Sequence, residues 1–168
     1  MAGLLGATGE TVETIRYDKD ADGVVTLTMD DPTQGANTMT ASWAASFHAA
    51  LDRIEAEISA DAKSVTGVIV TSGKRTFFAG GDLRLLIQAQ PEDAAQISAE
   101  VDAIKRQLRR LETLKRPVVA AVNGAALGGG LEIALACHHR ILLDAKGTRS
   151  ACPRSPSACS PARAASPA

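Results

Sequence analysis

The 168-residue chain has no cysteine framework: its three cysteines stand at positions 137, 152 and 159. That scatter gives neither a disulfide scaffold nor the paired spacing of a metal site, and a reducing cytoplasm is the default. It lacks any apolar run near the roughly 18 to 20 residues that span a bilayer, and no signal-peptide pattern opens it. Charge of one sign is also missing. The net value of −1 gives no broad attraction to nucleic acid or to an anionic membrane. Neither G-x-G-x-x-G nor G-K-[ST] occurs, so dinucleotide and P-loop readings fail. What remains is a chain of ordinary hydrophobicity, 45% apolar and 22% charged, long enough for one domain.

A local deficit is more informative. From Ser150 to Ala168 there is no Val, Ile, Leu, Met, Phe, Trp, Tyr, Asp or Glu. The 19 residues are six Ala, five Ser, four Pro, two Cys and two Arg. Such a segment has little to bury against its ordering entropy, and disorder is expected. Residues 1–10 read as a frayed leader, leaving 11–149 as the folded body.

Within that body, Thr11–Tyr17 and Gly23–Met29 alternate with period two around D-K-D-A-D-G, a hairpin signal. Asp30–Asn37 reads as a loop. Trp43, Phe47, Leu51, Ile54 and Ile58 form one apolar helical face, as do Ile97, Val101, Ile104, Leu108 and Leu111. The second helix carries a basic face with Lys105, Arg106, Arg109 and Arg110, read as solvated. Val65–Thr71 reads as a strand buried on both faces, and Pro117–Val122 as another short buried strand. A helix through Leu131–Cys137 and a strand opening at Ile141–Leu143 follow. Strands alternating with helices imply an α/β fold with largely parallel pairing.

Two glycine-rich turns each leave a strand and enter a helical stretch: Phe77-Phe78-Ala79-Gly80-Gly81-Asp82 and Asn123-Gly124-Ala125-Ala126-Leu127-Gly128-Gly129-Gly130-Leu131-Glu132. Glycine admits close backbone approach, and the first N–H groups of a helix are unpaired donors at a positive dipole end. Two such turns can aim two N–H groups at one oxygen, the geometry of an oxyanion hole. Glu132 in the first helical turn can then move a proton beside an enolate. Tight packing explains glycines at such junctions equally well, and an acid at a helix start equally complements the dipole. His138 and His139 close the helix, where positive side chains suit the dipole and a metal or base role is the lesser reading. His48 lies on a helix without an evident partner and is read as structural, and Cys137 as a small buried apolar group.

F-F-A-G-G-D-L followed by P-V-V-A-A-V-N-G-A-A-L-G-G-G-L-E-I-A-L-A-C resembles the crotonase (enoyl-CoA hydratase/isomerase) superfamily over roughly residues 12–149. R-Q-L-R-R-L-E-T-L and C-H-H-R-I make it most similar to the N-terminal hydratase region of bacterial multifunctional fatty-acid oxidation proteins. The resemblance implies a crotonase-like core of ββα units, incomplete at the C-terminus. It implies Gly81 and Gly129 as oxyanion donors, Glu132 as the first catalytic glutamate and Ala79 at the adenine end of coenzyme A. Lys74 and Arg75 are either solvated or near the CoA phosphates. The implied activity is addition of water to 2-enoyl-CoA thioesters in fatty-acid β-oxidation. The alternatives are enoyl-CoA isomerisation or other crotonase chemistry, and an inactive truncated fragment that binds CoA thioesters weakly. Coenzyme A enters as substrate carrier, with no tightly bound cofactor, no metal and no nucleic acid. Intact relatives oligomerise; this chain is expected to lack the assembly elements, and its open sheet edges to lower its solubility.

The family's second glutamate falls about 20 residues after the first, in a stretch resembling L-G-L-P-E-V-T-L-G-L-L-P-G. No acidic residue follows Asp144. GC-rich codons for Ser150 onward, read one base earlier, spell L-G-L-P-E-V-T-L-G-L-L-P-G-A-G-G-V-T-R. The frame is therefore expected to slip near Arg149–Ser150, with the glutamate encoded across Pro153 and Arg154.

Overall fold

A computed structural model describes residues 12–81, 87, 89–144 and 150–151. Strands β1 (Ile15–Lys19) and β2 (Val24–Met29) form the expected hairpin, in register from Ile15↔Met29 to Lys19↔Val25. The Asp20 carboxylate closes its turn by accepting the N–H groups of Asp22 and Val24, at 3.0 and 2.9 Å. Gly23, at φ +78°, takes the left-handed position that a side chain would strain. β1 begins later than the alternation from Thr11 suggests. The Thr14 N–H leaves the ladder to donate to Ser46 Oγ on the following helix, at 3.1 Å.

That helix, α1 (Ala41–Ala60), starts where Thr40 Oγ1 accepts the Trp43 N–H. Its buried face holds Trp43, Phe47, Leu51 and Ile54 of the periodic set read from the sequence together with Ala50, while the fifth member, Ile58, is only half-buried near the helix end. β3 (Gly67–Ser72) pairs parallel with β2, β4 (Val118–Val122) with β3, and β6 (His139–Leu142) with β4. The sheet order is β1-β2-β3-β4-β6. Between β3 and β4 the chain passes through a 3₁₀ turn (Pro91–Asp93) into α2 (Ala94–Glu112), which buries Ile104 and Leu111. β5 (Ala126–Leu127) leads into α3 (Gly129–Ala136), the short helix expected at 131–137. This mixed α/β arrangement is the fold class implied by the motifs.

The core gathers on one face of the sheet. Val25, Leu27, Met29, Val68, Val70, Val118, Ala120 and Val122 point there with the buried faces of the helices. The reading of β3 as buried on both faces is therefore corrected: Gly67, Ile69 and Thr71, on its other face, are only half-buried. The basic face of α2 is solvated as expected and also paired. Arg109 meets Glu112, and Arg110 crosses to Asp52 and Glu55 of α1. Ser150–Ala151, the start of the segment expected to be disordered, form a two-residue strand β7 beside β5; positions 1–11 and 152–168 lie outside the described residues.

Candidate active site

Parallel pairing sets the C-terminal ends of β3 and β4 side by side, so the turns that leave them emerge together. Two asparagines lock the first turn. Asn123 Nδ2 donates to the carbonyls of Ser72 and Lys74, at 3.0 and 2.9 Å. Asn37, 1% exposed, donates to the Met29 carbonyl and to Ser72 Oγ, both at 2.9 Å, and accepts the Asp31 N–H. It thus ties the ends of β2 and β3 together. Sequence reading missed both roles.

The turns are stitched to each other by backbone. Phe78 N–H donates to the Ala125 carbonyl at 3.1 Å, and Leu127 N–H to the Phe78 carbonyl at 3.0 Å. Trp43 supports this junction from below, stacking on Phe47 and meeting Phe78 edge-on at 5.2 Å. Gly80 (φ +95°) and Gly128 (φ +51°) then face each other. A Cβ on Gly128 would lie 3.8 Å from Gly80 Cα, and one on Gly80 only 3.2 Å from the Leu127 carbonyl oxygen. The next residue on each side is a candidate donor, Gly81 or Gly129. Neither N–H donates to a backbone acceptor among the described residues. Behind Gly129, the N–H groups of Leu131 and Glu132 turn back to the Gly128 carbonyl, at 2.9 and 3.2 Å.

Glu132 lies exposed in the first turn of α3, three residues after Gly129 and so on the same side of the helix. Ala79 is half-buried and its N–H is bound to the Asn37 carbonyl at 2.8 Å. Asp82 lies outside the described residues. Met39 touches both turns. Its N–H donates to the Gly80 carbonyl at 2.9 Å, its backbone bridges to Gly81, and its methyl sits 2.5 Å from where a Gly129 Cβ would be.

Gly129→Ala is accordingly expected to cost less than about 1 kcal/mol in urea unfolding, because the only atoms its Cβ meets are the methyl and sulfur of Met39, a flexible side-chain end that can swing aside.

The other candidates separate from this junction. Lys74 forms an ion pair with Asp30 at 2.9 Å and is mostly buried, so it is not a free loop cation; Arg75 is exposed. His138 accepts the Val118 N–H on Nδ1 at 3.0 Å, and its Nε2 meets the Glu112 carbonyl at 2.9 Å. Those contacts staple the end of α2 to the start of β4. His48 has partners after all, Arg110 at 3.0 Å and Asp52 at 3.4 Å on the α1–α2 surface. The Arg110 guanidinium holds the Asp52 carboxyl below its ordinary range. Burial pushes the Cys137 thiol up to about 12, which leaves it a protonated core group, as read. No helix among the described residues is long and apolar enough to cross a membrane.

The sequence profile of the enoyl-CoA hydratase/isomerase family matches residues 19–147, a span that includes both turns and Glu132. The chain belongs to the enoyl-CoA hydratase/isomerase family. Among curated relatives, it is 44% identical over 128 residues to the fatty acid oxidation complex subunit alpha of Shewanella loihica. That alignment covers 75% of this chain and 17% of the relative. The corresponding subunit of Shewanella oneidensis is 39% identical over 137 residues, covering 79% of this chain and 18% of that one. Among solved structures, the enoyl-CoA hydratase of Bacillus anthracis superposes with a TM-score of 0.69 at 29% identity, covering 83% of this chain and 50% of that one. The enoyl-CoA hydratase of Thermoplasma volcanium, at 20% identity, shares the fold with a TM-score of 0.68 over 84% of this chain and 52% of its own. The chain thus spans under a fifth of these curated family members and about half of these solved ones.

Proposed function

We propose that the junction of the two glycine turns binds the thioester carbonyl of an acyl-CoA, with the Gly81 and Gly129 amides as its oxyanion donors. The observation that carries this reading is the Gly80–Gly128 contact, which sets both amides one residue beyond a shared point without a backbone acceptor among the described residues. Donors fixed in advance stabilise charge that develops on the oxygen without reorganising. On this reading the chain is hydratase-type, corresponding to the N-terminal region of a fatty-acid oxidation subunit in a cytoplasmic setting. Water adds its oxygen to the β-carbon of a 2-enoyl thioester while a carboxylate accepts its proton. The alkene electrons move onto the thioester oxygen as an enolate, which collapses as the α-carbon takes a proton. Glu132 is the proton-transfer group, and the Ala79 segment lies toward the adenine end.

The absence of any acidic residue after Asp144 favours a second reading. One carboxylate suffices to take the α-proton of a 3-enoyl thioester and return it at the γ-carbon, shifting the double bond without water. Presenting the chain with 2-enoyl-CoA and 3-enoyl-CoA in parallel separates the two. The hydratase reading expects slow loss of the 2-enoyl chromophore that rises about 10²–10⁴-fold when residues 150–168 are replaced by the alternative-frame segment. Double-bond shift alone supports the isomerase reading, and no binding of either thioester contradicts both. Nucleotide sequence incompatible with the codons spelling that segment would remove the frame-slip part of the proposal.

A further inference from the structure

Each of the two candidate donor amides shares its peptide unit with a carbonyl, and the partner of that carbonyl decides where the amide points. A trans peptide holds its C=O and N–H in one plane and aimed in opposite directions, and no peptide among the described residues is cis. The Gly129 N–H shares its peptide with the Gly128 carbonyl, which accepts the N–H groups of Leu131 and Glu132 at 2.9 and 3.2 Å. Its own helix therefore aims it. The Gly81 N–H shares its peptide with the Gly80 carbonyl, whose partner comes from a distant part of the chain: the Met39 N–H, at 2.9 Å. An added Cβ on Gly81 would meet nothing within 4 Å among the described residues, so side-chain packing does not hold this peptide.

Met39 is itself held on both sides. The buried Asn37 before it donates from its side chain to the Met29 carbonyl and Ser72 Oγ, both at 2.9 Å. Thr40 after it caps α1. Between these anchors, residues 37–39 run beside 79–81 as a short parallel strip. Ala79 N–H donates to the Asn37 carbonyl at 2.8 Å, Met39 N–H donates to the Gly80 carbonyl, and Met39 bridges to Gly81. In an unbroken parallel ladder a single residue would supply both the N–H and the C=O. Here Ala79 supplies one and Gly80 the other, so the strip carries one extra residue, a bulge. Gly80, at φ +95°, absorbs it in a conformation open to glycine, just ahead of the Gly81 amide.

We infer that Met39 is the positioning residue of the first oxyanion donor: its backbone N–H, by engaging the Gly80 carbonyl, turns the Gly81 N–H away from the strip and toward the thioester oxygen. The inference rests on the thioester reading of this junction and deepens it. A peptide free to rotate would have to reorient as charge develops on the oxygen, whereas one fixed in advance does not. The two donors are thus oriented independently, Gly129 by α3 and Gly81 by the segment between β2 and α1. The role belongs to the Met39 backbone and not to its side chain, whose flexible end lies over Gly129.

Amide-to-ester replacement at Met39 in the 168-residue chain tests this, because it exchanges the N–H for an oxygen and keeps the side chain. The readout is the ¹⁵N-resolved spectrum during titration with a saturated acyl-CoA. In the parent chain the Gly81 and Gly129 amide protons should both shift downfield. In the ester chain Gly129 should keep its shift while Gly81 loses most of its own, and thioester affinity should fall by no more than about tenfold. Met39→Pro removes the same N–H and should reproduce the split, whereas Met39→Leu keeps it and should retain both shifts. Far-UV circular dichroism checks each fold, and the ester chain decides the matter where the proline variant unfolds. Equal Gly81 shifts in the parent and ester chains overturn the inference alone. So does equal loss at both amides in a folded ester chain, which would make the Met39 bond purely structural. No shift at either amide of the parent chain removes the thioester reading itself, and this inference with it.

Discussion

Glu132→Gln is expected to lower turnover of an enoyl-CoA thioester by about 10²–10⁴-fold while leaving thioester affinity within a fewfold of the parent chain. The side chain is exposed at the first turn of α3, so the amide fits without repacking. The backbone amides of Gly81 and Gly129 are untouched, and carbonyl binding should persist. An amide at the same position hydrogen-bonds but neither accepts nor delivers a proton. Steady-state kinetics beside calorimetric binding of a saturated acyl-CoA therefore split the two contributions. Equal loss of both would assign Glu132 to the architecture of the helix start, its dipole-complementing alternative.

Gly124→Ala carries the largest structural effect. A Cβ there would stand within 3.0 Å of both the carbonyl carbon of Arg75 and the Thr76 Cα. Both are backbone, and the loop that holds them is fixed by Asn123 donating to Ser72 and Lys74. No flexible side-chain end is present to yield. A loss of about 3 kcal/mol or more is expected, roughly 10 °C in Tm for a domain of this size. Gly35, with nothing within 4 Å of an added Cβ, is the control: Gly35→Ala should shift Tm by less than about 2 °C.

The parts of this molecule that were legible in the sequence are those written by period or by glycine. Trp43 to Ile58 and Ile97 to Leu111 repeat with the helical period, and both segments are helices. The two glycine runs announced a close backbone approach, and Gly80 and Gly128 adopt the left-handed conformations that require glycine. The asparagine clamps were not legible. Asn37 acts on Met29 and Ser72, partners 8 and 35 positions away, and a polar residue in a loop leaves no periodic trace of such reach. His138 was read from its own helix end, but its ring is used by Val118 and Glu112, 20 and 26 residues earlier. Lys74 was read as a loop cation because Asp30 becomes its neighbour only once β2 and β3 pair. Met39 carries a sequence signal only in hindsight, as the one large apolar residue in the loop between β2 and α1.

The central proposal is that the two turns act as one oxyanion site, and backbone amide resonances report on it directly. In ¹⁵N-resolved spectra of the chain titrated with a CoA thioester, the Gly81 and Gly129 amide protons should both shift downfield along one binding curve. The same titration with free coenzyme A, which has no thioester carbonyl, should leave them in place. Movement of only one amide, or equal movement with free coenzyme A, would contradict a shared oxyanion site.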